Sequence, residues 1–227
     1  MKPQPHATAS TGPGRELAAI GLIAVVAGLA VALGWVGFLN SDDGLYLSDA
    51  EAWLTSFPHL PTAHWGFRHT LVFPLAAAVA LGGSSETTMS VVAVAYYAAL
   101  VALIYVGVRW FSGPRVAFAG ALLAATTPLF AVWASIVSID IPEAVFCLLA
   151  IFLFARATID SAADPAPRRR DLLLVGAGLA AALGLVSRET AAGLALFIGL
   201  CFLLGLWMPR TRYLLIGAGA AVVVALE

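Results

Sequence analysis

Residues 87–110 read TTMSVVAVAYYAALVALIYVGVRW, with no charged side chain before Arg109. A helix rises 1.5 Å per residue, so roughly 20 apolar residues cross the ~30 Å hydrocarbon core of a bilayer. This stretch is long enough, and it is continuously apolar. It lacks the period-two alternation of a strand in a membrane barrel, so it predicts a membrane-spanning helix. Runs of the same character occupy 17–39, 116–134, 141–156, 172–187, 190–208 and 213–226. The expectation is therefore an all-α, polytopic transmembrane bundle of about seven spans.

Composition agrees. Of the 227 residues 61% are hydrophobic and 11% charged, and the mean hydropathy is +0.95. A soluble domain usually carries about a quarter charged residues to cover its surface. Here the missing charge is matched by long apolar runs, so most of the chain is solvated by lipid. Cys147 and Cys201 both lie inside such runs, where they pack as small soft side chains, and two cysteines are too few for a thiolate metal site. Ala30-Val31-Ala32 resembles a signal-peptide cleavage site, but the apolar stretch continues to Leu39, too long for a signal peptide's core. The chain holds no 20–50-residue repeat, no nucleotide-binding glycine fingerprint and no metalloprotease motif. No nucleic-acid partner is expected.

The basic residues orient the bundle. With seven spans and a cytoplasmic N-terminus, Lys2, Arg15, Arg109, Arg115, Arg156, Arg168, Arg169, Arg170, Arg210 and Arg212 fall inside, leaving Arg68 and Arg188 outside. The apolar run 70–81 is too short to cross. Making it a span would export eight of those arginines, so it is expected as a re-entrant or interfacial helix. The same topology collects Asp42, Asp43, Asp49, Glu51, Glu86, Asp140, Glu143 and Glu189 on the outer side. The outer loop 40–86 carries Trp53, His59, His64, Trp65, Arg68 and His69, and is expected to hold helices at headgroup depth. Residues 1–14 read as a disordered tail, 15–227 as the transmembrane domain, and 161–170 as a solvated Pro/Ala/Arg linker. The chain stops at Glu227 directly after an apolar run, so a longer chain is expected, and 1–227 alone is expected to be inactive.

Several polar residues sit where spans leave the membrane. Asp42-Asp43 follows the first span; adjacent carboxylates repel, which suits a general base or a carboxylate ligand to a divalent metal. The plainer account is a solvated turn at Asp43-Gly44. Asp140-Ile141-Pro142-Glu143 opens the fourth span and reads equally well as an N-cap and capping box. Arg188-Glu189 follows a short span, so Arg188 either holds a phosphate bidentately or pairs locally with Glu189. Arg68-His69 precedes the re-entrant run and either binds an anion or snorkels. His59 and His64 lack metal-ligand spacing.

The order of these features carries a resemblance. A span, an acidic pair followed by Tyr46, a long outer loop with Arg68, then Thr127-Pro128-Leu129-Phe130, Asp140, and Gly184-Leu185-Val186-Ser187-Arg188-Glu189 follow one another. This resembles the membrane half of GT-C glycosyltransferases of the protein O-mannosyltransferase and aminoarabinose-transferase type, over nearly the whole chain. The resemblance implies Asp42, Asp43 and Asp140 as catalytic carboxylates, Arg68 and Arg188 as ligands of the donor phosphate, and Tyr46 and Glu189 as supporting residues. Some branches bind a divalent metal and others none; Asp42 and Asp140 would be its ligands. One departure is plain: the basic residue and two prolines usual before the re-entrant helix appear as Arg68-His69-Thr70, with proline delayed to Pro74.

The implied activity moves a sugar from a polyprenyl-phosphate donor to a hydroxyl of a lipid, glycan or protein acceptor, with inversion, at the outer face of a bacterial plasma membrane. Membrane lipids would surround the enzyme. Two other classes fit such a hydropathy profile, a secondary transporter and a non-catalytic assembly subunit. A transporter places its charges near span midpoints in broken helices, whereas these lie at the outer ends.

Overall fold

The computed structural model describes residues 13–39, 41–159 and 167–226, and among them every regular element is helical. Ten α-helices follow in order: α1 Pro13–Leu33, α2 Asp42–Thr55, α3 His69–Gly82, α4 Glu86–Ser112, α5 Pro114–Thr126, α6 Pro128–Trp133, α7 Asp140–Ile159, α8 Pro167–Ser187, α9 Ala192–Leu204 and α10 Arg210–Val224. Short 3-10 turns, His64–Phe67 and Glu189–Ala191, precede α3 and α9. Among the described residues four helices are long and apolar enough to cross a membrane: Gly14–Leu33, Glu86–Ser112, Asp140–Ile159 and Pro167–Ser187.

The differences from the expected spans have local causes. The run 116–134 breaks at Thr127-Pro128, since proline lacks an N–H and drives the preceding residue out of the helical region; Thr127 has ψ 115°. The first helix stops at Leu33 instead of continuing to 39. The chain beyond it is captured by side chains: Ser135 Oγ accepts from Val36 N at 2.9 Å and Gly37 N at 3.4 Å, and Glu86 Oε1 accepts from Phe38 N at 3.4 Å. Gly37 sits at φ +81°, and a Cβ there would lie 2.2 Å from Glu86 Oε1, so this turn demands glycine. The expected tail lies largely outside the described residues, but Pro13 and Gly14 already belong to α1. Of the linker, 167–170 form the first turn of α8 and the rest lies outside the described residues.

The run 70–81 is helical, the helix running His69–Gly82. Thr70, Leu71, Val72, Leu75, Ala76 and Val79 are buried in α3, and Leu71, Val72, Leu75 and Ala76 pack with Tyr46, Ala50, Met89, Val92, Val137 and Ile139. This cluster lies under the candidate site. A second cluster joins α1, α4, α5 and α7, and a third joins α7 to α10. In lipid no hydrophobic force draws helix to helix, so close backbone approach through small residues supplies the adhesion. The α8–α10 contact works this way: a Cβ on Gly178 would lie 2.0 Å from Ile216 O, and one on Gly219 would lie 2.1 Å from Val175 O.

Candidate active site

Asp42 and Asp43 occupy the first turn of α2, but their environments differ. Asp43 is 1% exposed. Its Oδ2 accepts from Leu39 N at 2.6 Å, and its Oδ1 accepts from Ser41 N at 2.6 Å and Gly44 N at 3.0 Å. Both oxygens are spent on the turn that leads from α1 into α2. Asp42, one residue earlier, is exposed and keeps its carboxylate toward an open cavity. The turn reading thus describes Asp43, and it leaves Asp42 available for chemistry.

That cavity has a volume of about 370 Å³. It is lined by Asp42, Asp43 and Tyr46 from α2, His64, Trp65 and Arg68 before α3, Trp133 at the end of α6, residues 136–140 leading into α7, and Arg188 after α8. A larger cavity of about 640 Å³ between α1 and α4 has an almost wholly apolar lining, so it offers no acid, base or anion ligand.

Two arginines face the carboxylates. Arg68 Nη1 donates to the Tyr46 hydroxyl, its guanidinium lies 5.9 Å from the Tyr46 ring centroid, and its buried Nε meets no acceptor among the described residues. Burial pushes the Tyr46 phenol above its ordinary value, with Arg68 pulling the other way. Tyr46 therefore stays a neutral acceptor that orients Arg68 through the physiological range. Arg188 Nη1 donates to Asp140 Oδ1, and Ser138 Oγ donates to Asp140 Oδ2 at 3.1 Å. The local Arg188–Glu189 pair and the Asp140–Glu143 capping box give way to longer-range partners: Asp140 takes Arg188, and Glu143 accepts from Thr190 Oγ1.

A buried bond braces the two arginines. Thr70 Oγ1 and Ser187 Oγ lie 2.8 Å apart, joining the start of α3 to the end of α8, and Tyr96 donates to the Thr70 carbonyl. Arg68 precedes Thr70 by two residues and Arg188 follows Ser187 directly. Sequence reading missed this brace, as it missed Ser138, because lone hydroxyls in apolar runs carry no pattern. Glu189 is exposed and does not line the cavity. His59 is held by Asp49 at 3.4 Å.

Calcium or magnesium does not suit this donor set. These ions take six or more oxygen ligands, several supplied by carboxylates, water or substrate. Asp43 is used up by backbone N–H groups and Asp140 by Arg188 and Ser138, which leaves Asp42 as the free carboxylate of this cavity. No group of three His, Cys, Asp or Glu residues placed to hold a metal occurs among the described residues.

Comparison with known proteins decides the family. The family model described as dolichyl-phosphate-mannose-protein mannosyltransferase matches residues 69–226, well over half the chain. The chain belongs to this family. The resemblance read from the order of motifs is borne out at that level, and family membership implies a membrane glycosyltransferase dependent on a polyprenyl-phosphate sugar. The matched segment holds Asp140, Arg188, Thr70 and Ser187, whereas Asp42, Asp43, Tyr46 and Arg68 precede it. No curated protein and no solved structure matches the chain.

Proposed function

We propose that this mannosyltransferase-family protein transfers a sugar from a polyprenyl-phosphate donor to an acceptor hydroxyl at the outer face of the membrane, in one inverting step. The observation that carries the proposal is the convergence of Asp42, Arg68, Asp140 and Arg188, from four separated stretches of sequence, on one cavity. The acceptor oxygen attacks the anomeric carbon as the bond from that carbon to the phosphate oxygen breaks. Its proton goes to the Asp42 carboxylate, and the phosphate leaves with one more negative charge than it had as a diester. Arg68 and Arg188 stabilise that growing charge, where preorganised donors contribute most. Asp140 and Tyr46 hold the two guanidiniums, and Asp43 fixes the turn that presents Asp42.

The topology belongs to the same proposal. Four helices are long enough to span; α5 with α6, α9 and α10 complete seven crossings, with tilt, local thinning and flanking residues covering the shortfall. The arginine and lysine partition supports an N-terminus in the cytoplasm and a cavity outside. The test is turnover of labelled polyprenyl-phosphate sugar in membranes carrying Arg68→Gln or Arg188→Lys. Both should raise the donor KM while membrane abundance holds, because glutamine loses the charge and lysine keeps it but loses the bidentate fork. Unchanged donor KM in both variants would remove the phosphate from this cavity.

A further inference from the structure

The chain between the middle of α2 and the first turns of α3 is rich in rings, and the fold sorts them into two groups. Trp53, His69 and Phe73 pack on one another, and none of them borders the active-site cavity. His64 and Trp65 do border it, beside Asp42, Tyr46, Arg68 and Arg188. Their ring centroids lie 3.6 Å apart with the planes 34° from parallel, so the imidazole lies over the indole. Trp65 is half-buried against the core cluster under the site, whereas His64 is exposed. The proton and phosphate steps give neither ring a task.

The pair is built in place. It opens the 3-10 turn His64–Phe67, where Gly66 N donates to Ala63 O and Arg68 N to Trp65 O, both at 3.2 Å. Gly66 is packed so tightly that a Cβ on it would lie 2.4 Å from Pro61 Cβ and 2.8 Å from Asp49 Cγ, which fixes the turn against α2. In a 3-10 turn side chains three residues apart eclipse one another, so the indole and the Arg68 guanidinium leave the turn on the same side. A phosphate on Arg68 therefore brings the group it esterifies up to Trp65 and His64. A sugar ring suits that place: its hydroxyls form a polar rim, and its C–H bonds gather on an apolar face that the negative face of an aromatic ring attracts. The carboxylates and guanidiniums of the cavity answer the rim, and the ring pair answers the face.

We propose that the stacked His64–Trp65 pair is the platform on which the donor's sugar ring lies. The inference rests on the reading of this cavity as the donor site, and adds to it the residues that read the sugar. His64 and Trp65 act through their rings, so they set donor binding and leave the proton to Asp42.

The experiment measures two quantities in membranes carrying the full chain: the KM for labelled polyprenyl-phosphate sugar at saturating acceptor, and inhibition by the same polyprenyl phosphate without its sugar. Trp65→Leu and His64→Ala should each raise the donor KM about five- to tenfold with kcat little changed, the scale of a ring contact of ~1–1.4 kcal/mol. Inhibition by polyprenyl phosphate should stay as in the wild type, which also shows that the variants fold. His64→Phe should keep the wild-type KM, because it keeps a ring. Arg68→Gln should weaken donor and inhibitor alike; if it weakens neither while the ring variants lose the donor alone, the platform stands and the phosphate reading fails. Parallel loss of donor and inhibitor in Trp65→Leu and His64→Ala would show that the pair serves the phosphate. Equal loss in His64→Phe and His64→Ala would show that the imidazole acts by charge or hydrogen bond, and a rise in acceptor KM alone would give the platform to the acceptor. Any of these three results overturns the proposal, as does an unchanged donor KM in both Trp65→Leu and His64→Ala.

Discussion

Replacing Asp43 with asparagine tests the division of labour within the acidic pair. The amide oxygen can still accept from Ser41 N and Gly44 N if it takes the place of Oδ1, but the NH2 then faces Leu39 N, where Oδ2 now sits 2.6 Å away. Two donors oppose each other in a buried site, and one backbone N–H is left unpaired. A buried unsatisfied donor costs about 1–3 kcal/mol, and the two remaining bonds lose their charge assistance, which roughly halves them. The expected loss is therefore about 2–4 kcal/mol, a large share of the 5–15 kcal/mol that holds a typical domain folded. Asp43→Ala, which removes both acceptor oxygens and all three bonds, should cost more. Thermal unfolding in detergent, followed by tryptophan fluorescence at matched protein and lipid concentration, should show a clear fall in midpoint for both. Asp42→Asn, exposed and without such bonds, should unfold with the wild type. If Asp43→Asn melts with the wild type while Asp42→Asn falls, the two residues have exchanged roles and the reasoning from burial is wrong.

Other outcomes follow from the same geometry. Ser187→Ala cuts the brace between α3 and α8 and strands the Thr70 hydroxyl, costing about 1–3 kcal/mol in a detergent melt; donor KM should rise as well, and an unchanged KM would detach the brace from arginine placement. Asp140→Asn breaks a half-exposed pair, so its stability effect should stay within about 1 kcal/mol, whereas donor KM should rise because Arg188 loses its anchor; a stability loss with normal KM would make Asp140 a helix cap. Gly178→Ala should weaken the α8–α10 contact and lower the melting temperature, as its Cβ would meet the Ile216 carbonyl; an unchanged melt would show that the helices can separate freely. Cysteine at the exposed Thr62 should react with impermeant reagents in intact cells and cysteine at Ser112 should not, and the reverse labelling would invert the membrane orientation.

Much of the helical character was legible because lipid imposes it: apolar runs such as 87–110 have no other stable fate. The break at Thr127-Pro128 was visible as residues but not as a consequence, because a hydropathy run passes through proline without a mark. The end of α1 at Leu33 was hidden for a different reason. It depends on Ser135, Glu86 and the left-handed Gly37, none of which stands near the first span in sequence. Within the site, Asp42, Asp43, Tyr46, Arg68, Asp140 and Arg188 announced themselves as charges and a phenol at span ends, and all line one cavity. Which member of the acidic pair was structural depended on three backbone N–H groups, so adjacency alone could not separate them. Ser138, Thr70 and Ser187 were silent in the sequence, since a hydroxyl becomes a positioning group only when the fold brings it a partner.

The central claim is that the Asp42 carboxylate takes the acceptor's proton while the two arginines hold the departing phosphate. Its most direct test is single-turnover transfer from labelled polyprenyl-phosphate sugar by Asp42→Asn, with donor saturating and membrane abundance matched to the wild type. Asparagine preserves size and shape but cannot accept the proton, so transfer should slow by about 10²–10⁴-fold with donor binding intact. Transfer by Asp42→Asn at close to the wild-type rate would contradict the account, because the acidic pair would then be a turn and nothing more.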